Sequence, residues 1–276
     1  MLSRNRLRFV KIALAVAFGL AAGATYAQST KTALNVATFT AYPPFEFKDP
    51  TSNELVGFDI DLVNALAAKM GTKVNWIESK WEQLVPSIET KRADAIVGIA
   101  DSPERRDNMS FLDYAYDNSV FFVLRASATQ YPSMESVCGK RVAVTRSSIP
   151  WLSAIDAWNG EHCTKAGRPA VIVAGSNGTP DTRMQLDQGR VDVGVHSIGV
   201  MTYQNKLQGD RYVAIGKPFL SVPLGVAFAK DNPELGLALK KALSALIADG
   251  TYRDLLHKWS LTDDSAIEQP MINGQP

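Results

Sequence analysis

The sequence predicts an α/β protein built from two lobes. Two stretches, beginning near Leu34 and near Arg141, repeat the same alternation of short β-rich runs and helical periodicity. Two further β-rich runs, 121–125 after the first stretch and 219–228 after the second, lack the Gly/Ser-rich composition of a flexible linker and look like paired strands that cross between the lobes. Because strand–helix alternation favours a parallel sheet, each stretch is expected to form one lobe, with the chain crossing between the lobes twice.

The first stretch predicts three strands and two helices. The strands are expected at 34–38, 74–77 and 93–99, and the helices at 59–70 and 81–91. In the first helix an apolar stripe recurs with helical spacing, Asp59 stands where an N-cap is expected, and Gly71 supplies a left-handed stop.

The second stretch repeats the pattern, with strands expected at 141–145, 170–174 and 191–195 and helices at 150–158 and 180–188. Residues 233–259 carry a further apolar helical stripe with Gly250 as a stop, and this segment is expected to pack back on the first lobe. Residues beyond Thr262 show no such pattern and are expected to be loosely ordered. Residues 28–122 and 223–276 would then form lobe 1, and residues 123–222 lobe 2.

The first 27 residues have the features of a secretory signal. Four basic residues precede an apolar run, and Thr25-Tyr26-Ala27 resembles a cleavage site. The apolar run is too short for a permanent membrane span, and no Cys follows it for lipid attachment. We therefore expect a mature protein that is free in the periplasm.

Charge and cysteine content narrow the classes of function. Removing residues 1–27 would turn the formal net charge of +1 negative, which argues against a nucleic-acid or anionic-membrane partner. The two cysteines, Cys138 and Cys163, predict a disulfide in an oxidising compartment, worth about 3 kcal/mol for a loop of roughly 25 residues; two buried free thiols are the alternative. No metal site is expected, because only His162 lies near the pair and a closed zinc site needs four ligands.

Four motifs then occur in a fixed order along the chain. They are Tyr-Pro-Pro-Phe-Glu-Phe at 42–47, Gly-Phe-Asp-Ile-Asp-Leu at 57–62, Pro-Glu-Arg at 103–105 and Asp-Gly-Thr-Tyr at 249–252, the last followed by Lys-Trp at 258–259. The ordered set resembles the solute-binding family 3 receptors of amino-acid ABC importers. The resemblance implies the type II periplasmic binding protein-like fold, in which two α/β lobes joined by two crossing strands close on a ligand by a hinge.

The resemblance also implies the ligand contacts of the first lobe. Arg105 would clamp the carboxylate of the ligand, since a guanidinium offers a planar fork that matches a carboxylate. The alternative is that Arg105 only pairs with Asp101 or Asp107 on the surface, while Arg106 is the expected solvated charge. The remaining first-lobe positions implied as ligand-binding are Tyr42 and Trp81, whose rings would stack around the ligand or else belong to the core, and Gly98 and Ala100 at a strand end.

In the second lobe the resemblance implies ligand contacts at Ser147 and Ser148, before a helix, and at His196 and Ser197, after a strand. Two departures from the family pattern stand out. Ala100 replaces a Ser or Thr, and Ser197 replaces the Asp that would neutralise the α-ammonium of the ligand. Either another acid, for instance Asp101 or Asp181, accepts the ammonium, or the ligand lacks a standard α-amino group. His196 either donates to the ligand or is held by backbone groups.

The function predicted is that of a monomeric periplasmic substrate-binding protein that presents a small, amino-acid-like or carboxylate-bearing solute to an inner-membrane ABC permease. No catalytic residue, cofactor or metal is expected. Two alternatives remain: a periplasmic dehydratase-type enzyme on the same scaffold, for which only His196 is a titratable candidate near Ser197, and a ligand sensor that docks on a receptor kinase.

Overall fold

The computed structural model of the chain describes residues 33–146 and 148–276. The predicted signal peptide and Ser147 lie outside these residues. The strands are β1 (Ala33–Thr38), β2 (Ala41–Tyr42), β3 (Glu46–Lys48), β4 (Leu55–Val56), β5 (Lys73–Glu78), β6 (Ala95–Ala100), β7 (Met109–Leu124), β8 (Arg141–Thr145), β9 (Ile172–Ser176), β10 (Val193–Ser197), β11 (Tyr212–Ala229) and β12 (Met271–Ile272). The helices are α1 (Phe58–Lys69), α2 (Leu84–Glu89), α3 (Pro103–Arg106), α4 (Ile149–Asn159), α5 (Thr179–Asp187), α6 (Ile198–Gln208), α7 (Pro233–Ala248) and α8 (Thr251–Lys258).

One sheet runs through the whole fold, in the order β5-β1-β6-β11-β7-β10-β8-β9. The strands β5, β1 and β6 pair in parallel at one end, and β10, β8 and β9 pair in parallel at the other. Between them β7 and β11 pair with each other in antiparallel fashion. The two α/β lobes and the two crossing strands that the sequence predicts are therefore present.

The crossing strands are much longer than the predicted runs, because β7 and β11 pair along most of their lengths and each strand contributes to both lobes. The predicted lobe boundaries, near 122 and 222, fall inside β7 and β11 and stay predictions. The predicted βαβ elements occur within a few residues of their expected positions.

Each lobe has its own apolar core. In the first lobe the buried stripe of α7, including Leu239 and Leu243, joins α1 side chains such as Leu62 in one cluster. Burying each such side chain contributes roughly 1.5–3 kcal/mol. In the second lobe Phe121 of β7 packs with Trp158 and neighbouring strand residues. The expectation that the C-terminal helical segment returns to the first lobe is confirmed.

Two predicted helix starts are wrong. Gly57, not Asp59, is the N-cap of α1; its φ of +137° and its close approach to the Phe45 carbonyl exclude a side chain there. The predicted helix at 81–91 splits into a short 3₁₀ turn, Trp81–Gln83, and α2. Pro86 explains the split, because it has no N–H to close the first α-helical turn.

The disulfide is confirmed. Cys138 and Cys163 are bonded with their Cα atoms 5.6 Å apart, which rules out the alternative of two free thiols. The bond ties the segment before β8 to the turn after α4, and Cys163 is fully buried in the core of the second lobe.

The expectation of a loosely ordered C-terminus is wrong. Within it β12 pairs with β7, and the side-chain oxygen of Asn273 accepts a hydrogen bond from the Phe111 N–H at 2.8 Å. Further along β7, Asn118 Nδ2 donates to the Asp264 carbonyl at 2.9 Å, and Ile267 is buried. Strand pairing, asparagine side-chain hydrogen bonds and a few apolar contacts without helical or strand periodicity hold this segment, so hydropathy patterns did not reveal it.

The C-terminus also completes a buried acidic pair. The Gly274 N–H donates to Asp113 Oδ2 at 2.8 Å. Asp113 lies beside Asp101, which Arg106 holds through Nε and Nη2 at 2.6 and 2.7 Å. Burial, and then the neighbouring Asp101, raise the pKa of Asp113 to about 7. In the folded protein Asp113 is therefore mostly protonated below about pH 7.

No helix among residues 33–146 and 148–276 is long and apolar enough to cross a membrane.

The raised pKa of Asp113 gives a pH-dependent stability with a definite sign. The unfolded chain ionises Asp113 near pH 3.9 and the folded chain near pH 7, so the free energy of unfolding that Asp113 contributes falls as the pH rises between these values. Asp113→Asn removes this contribution and keeps the acceptor for Gly274. Denaturant unfolding at pH 4.5 and pH 8 should show the variant gaining stability relative to wild type as the pH rises. A difference that does not change with pH would contradict the assignment.

Candidate functional site

Arg105 lies at the carboxyl end of β6, one of the strand ends where open α/β sheets place ligands. Its Nη1 donates to the Ala100 carbonyl at 2.9 Å, and its Cζ lies 6.0 Å from the centre of the Trp81 ring. Partial burial lowers the pKa of its guanidinium, which nevertheless stays charged. Among the residues that the structure describes, no carboxylate lies within 4.0 Å of it. The guanidinium is positioned by the protein and left with free donors.

Arg106, not Arg105, pairs with Asp101. The alternative that Arg105 is a surface partner of Asp101 or Asp107 is therefore wrong, and so is the expectation that Arg106 is simply solvated. The carboxylate of Asp101 is fully buried, and Arg106 neutralises it through two hydrogen bonds. The Arg106–Asp101 ion pair holds the short helix α3 in place and does not involve the Arg105 guanidinium.

Trp81 presents an aromatic surface beside Arg105. Its side chain is 45% exposed, and the edge of the Phe39 ring contacts it at 6.0 Å between centroids. The alternative that Trp81 is a core residue is wrong. Its exposure, and the guanidinium carbon 6.0 Å from its ring centre, suit a ring that packs against a ligand.

Tyr42 points toward the crossing strands. Its Oη donates to Asp117 Oδ2 of β7 at 2.9 Å, and its ring stacks on Phe45 at 5.5 Å. Burial, and then the charge of Asp117, raise the pKa of Tyr42, so the phenol remains a hydrogen-bond donor. Tyr42 thus connects the first lobe to the middle of the long sheet.

Gly98 approaches a buried carboxylate closely. Its φ is +78°, and a Cβ at this position would lie 2.5 Å from Glu46 Oε1. Glu46 is itself 1% exposed and lies against Asp59, which is also buried. Burial, and then the neighbouring Asp59, raise the pKa of Glu46 well above its usual range. Sequence reasoning missed this pair, although two acids within apolar motifs are a signal that could have indicated it.

In the second lobe, Ser148 precedes α4 as predicted, and its N–H donates to the Thr145 carbonyl at 3.0 Å. Its side chain makes no capping hydrogen bond. The same helix supplies Trp151, whose Nε1 donates to Ser119 Oγ of β7 at 2.8 Å. Trp151 therefore ties the start of α4 to the crossing strand, a contact that the sequence did not predict.

His196 is a neutral, fully engaged residue. Its Nδ1 accepts a hydrogen bond from the Ser197 N–H at 3.0 Å, and its Nε2 contacts the hydroxyl of Thr179. Burial, with a smaller effect of Arg183, lowers its pKa to about 3. Of the two alternatives for this histidine, the structure favours the one in which protein groups hold it, and an imidazole that is neutral near pH 7 is a poor general acid.

Ser197 ends β10 and precedes α6. It is 1% exposed, and its Oγ has no hydrogen-bond partner among the described residues. In the β10–β7 ladder Ser197 pairs with Ser119, which lies two residues from Asp117 along β7. Both acids suggested as substitutes already have partners: Arg106 holds Asp101, and the partly exposed Asp181 accepts a hydrogen bond from the Asn177 N–H.

The structure thus brings the predicted residues together in two groups. Trp81, Ala100 and Arg105 form the first, at the end of β6, and Tyr42 and Ser197 meet near Asp117 in the second. Asp117 was missed by sequence reasoning. Across the described ranges, no three His, Cys, Asp or Glu side chains are arranged to hold a metal ion.

Comparison with known proteins gives consistent results. The family model described as bacterial extracellular solute-binding proteins, family 3, matches residues 34–262. A putative ABC transporter arginine-binding protein 2 of Escherichia coli K12 is 28% identical over 87% of this chain and 96% of its own length. The lysine/arginine/ornithine-binding periplasmic protein of the same strain is 27% identical over 90% and 95%.

A solved structure from Bacillus subtilis, a probable amino-acid ABC transporter extracellular-binding protein, superposes with a TM-score of 0.74. It is 26% identical and covers 84% of this chain and 98% of its own. The comparisons and the described geometry therefore agree on a type II periplasmic binding protein fold.

The close contact between Gly98 and Glu46 predicts that adding a single methyl group at position 98 will lower the stability of the protein unusually strongly. Gly98→Ala should lower the free energy of unfolding by about 1–2 kcal/mol for the left-handed backbone, and by a further 1 kcal/mol or more for displacing the buried Glu46. Gly71→Ala is the matched control, because Gly71 has a φ of +72° with no atom within 4 Å of the added carbon. Urea denaturation of both variants measures the difference; equal losses would contradict the close approach of Glu46.

Proposed function

Because the chain belongs to the bacterial extracellular solute-binding proteins, family 3, we propose that it is the substrate-binding protein of an ABC importer and takes a small, carboxylate-bearing, amino-acid-like solute. Binding rather than catalysis is the role of the relatives named above, whose names specify arginine and the group lysine, arginine and ornithine. The proposed ligand class is therefore that of small carboxylate-bearing, amino-acid-like solutes, to which all of these amino acids belong.

The observation that carries the proposal is the state of Arg105. The Ala100 carbonyl and the Trp81 ring fix the guanidinium at a strand end, and no acid among the described residues neutralises it. A fixed guanidinium with free donors offers two parallel hydrogen bonds to a carboxylate. Since the donors are oriented before the ligand arrives, little side-chain entropy is lost on binding.

Hinge closure follows from the connection of the lobes. Tyr42, Trp81, Gly98, Ala100 and Arg105 are the proposed ligand contacts of the first lobe; Ser147, Ser148 and Ser197 are those of the second. In the described part of the chain, β7 and β11 are the strands that join the two lobes within the sheet. A ligand that contacts both groups favours the closed state, because some of its contacts exist only there.

The cellular setting belongs to the same proposal. Residues 1–27 act as a cleavable signal, the mature protein works in the periplasm as a monomer, and the closed form docks on an inner-membrane ABC permease. Support comes from the basic and apolar pattern of the first residues and from the periplasmic relative named above.

The carboxylate clamp predicts a loss of binding without a loss of fold. A thermal-unfolding screen of the mature chain with L-amino acids, including arginine, lysine, ornithine, glutamate, leucine and phenylalanine, identifies a ligand by its stabilisation, about 2.7 kcal/mol at one hundred times Kd. Arg105→Ala should then weaken that ligand roughly a hundredfold or more by titration calorimetry, with little change in the ligand-free melting temperature.

Arg253→Ala is the matched control, because it removes the same charge from an exposed pair with Asp263. It should leave affinity unchanged. An Arg105→Ala protein that binds within twofold of wild type would rule out the clamp, and a screen in which no carboxylate-bearing solute binds would rule out the proposed ligand class.

A further inference from the structure

The second group of site residues contains polar atoms that the protein leaves without partners. Ser197 Oγ is buried and makes no hydrogen bond among the described residues. Asp117 Oδ1 is likewise buried and unpartnered, although Asp117 as a whole is partly accessible. A buried polar atom without a partner costs roughly 1–3 kcal/mol. Since Ser197 Oγ and Asp117 Oδ1 are both left without a partner, a hydrogen-bonding group from outside the protein could satisfy them.

The positions of Asp117 and Ser197 place both atoms where the two lobes face each other. Ser197 pairs with Ser119 across the β10–β7 ladder, and residues two apart on a strand share one face. Asp117 and Ser119 therefore lie on the same face of β7. Tyr42 reaches this face from the first lobe, and Trp151 reaches it from the second. The unpartnered atoms are thus at the junction, not within either core.

The missing partner must supply hydrogen-bond donors and positive charge. The charged groups that act on Asp117's neighbourhood are the acids Glu46 and Asp59, and no Lys, Arg or His forms an ion pair with Asp117 within the described part of the chain. Burial raises the pKa of Asp117, and the neighbouring hydroxyls of Ser197 and Tyr42 oppose the rise. The described residues offer no metal cluster, so an organic cation is the matching chemistry.

We propose that Asp117 and Ser197 together accept the amine of the bound solute, so that the ligand carries a protonated amine as well as a carboxylate. Asp117 supplies the balancing charge that a serine at position 197 lacks, and Ser197 Oγ accepts a second N–H. The proposal rests on the proposed binding function, in which Arg105 holds the opposite, anionic end of the same ligand.

The register of β6, β11 and β7 is consistent with one ligand that contacts Arg105 at one end and Asp117 at the other. Ala100, which anchors Arg105, pairs with Leu224 of β11, and β11 pairs in turn with β7 near Asp117. Two strand spacings, about 10 Å, separate the backbones of β6 and β7. Side chains that extend from both strands can enclose a molecule of amino-acid size in this gap. The site therefore combines a fixed cation on one side with a fixed anion on the other.

Matched pairs of solutes test the ligand class. L-Arginine, L-glutamate, L-leucine and L-phenylalanine are each compared with the same molecule without its α-amine: 5-guanidinopentanoate, glutarate, 4-methylpentanoate and 3-phenylpropanoate. In calorimetry at pH 7, any pair that binds should favour the amine-bearing member at least tenfold. A des-amino carboxylate that binds equally well or better overturns this inference and leaves the carboxylate-binding function standing.

Mass spectrometry of small molecules released by denaturing the purified protein extends the test to solutes outside these pairs. A released carboxylate with a basic amine supports the inference, and one without any basic nitrogen overturns it. If no carboxylate of either kind binds or co-purifies, both the inference and the proposed function fail.

Variants separate charge recognition from a structural role of Asp117. Asp117→Asn should weaken the amine-bearing member tenfold to a hundredfold and leave the des-amino member unchanged, since only the first interacts with the lost charge. Tyr42→Phe is the control, because it removes the 2.9 Å hydrogen bond to Asp117 without changing charge and should affect both members alike.

Moving the carboxylate to the neighbouring position completes the test. The double variant Asp117→Asn/Ser197→Asp should recover at least half of the lost selectivity, as a free energy, for the amine-bearing member. Asp117→Asn variants that lose both members equally, or a double variant that recovers nothing, would show that Asp117 only supports Tyr42.

Discussion

The pairing of β7 with β11 is the constraint on which the rest of the structure depends. These two strands form one antiparallel ladder that merges two parallel sheets into a single sheet. Because the ladder belongs to both lobes, it sets the register of β6 on one side and β10 on the other. The strand ends that carry Ala100 and Ser197 are thereby fixed relative to the same β7 residues. A hinge made of paired strands bends without letting its register slip, since a slip of one residue would reverse every side chain on it.

This ladder also explains why the C-terminus is ordered. Residues after Thr262 extend the sheet by pairing β12 with β7, and they reach Asn118, close to the junction. They also deliver the Gly274 N–H to Asp113, next to the Arg106–Asp101 pair that supports α3. The segment lies beyond the match to the family model, which ends at residue 262. In this chain, then, a terminal segment braces both the hinge strand and the helix that carries Arg105.

How much the sequence could predict depended on the kind of interaction involved. Apolar periodicity located α1, α7 and the parallel strands within a few residues, because burial of a stripe is a local property of the sequence. Motif resemblance located Arg105 and Ser197. The pairing of Arg106 with Asp101 was not predicted, because two adjacent arginines differ only in where the turn directs them. The sequence did not predict roles for Asp117 and Glu46, because those roles depend on contacts with residues that are distant in the sequence.

In the site proposed above, the property that favours ligand binding is that Arg105 and Asp117 do not pair with each other. If the two side chains paired with each other, a ligand would have to break that ion pair before it could bind, and much of its own interaction energy would be lost. Instead Arg105 is held by a neutral carbonyl and an aromatic ring, and Asp117 by a neutral phenol. These neutral groups orient the Arg105 and Asp117 side chains but do not neutralise them. In the proposed site, unpaired charge in each group would destabilise the ligand-free protein, and a solute with opposite charges at its two ends would relieve both costs at once.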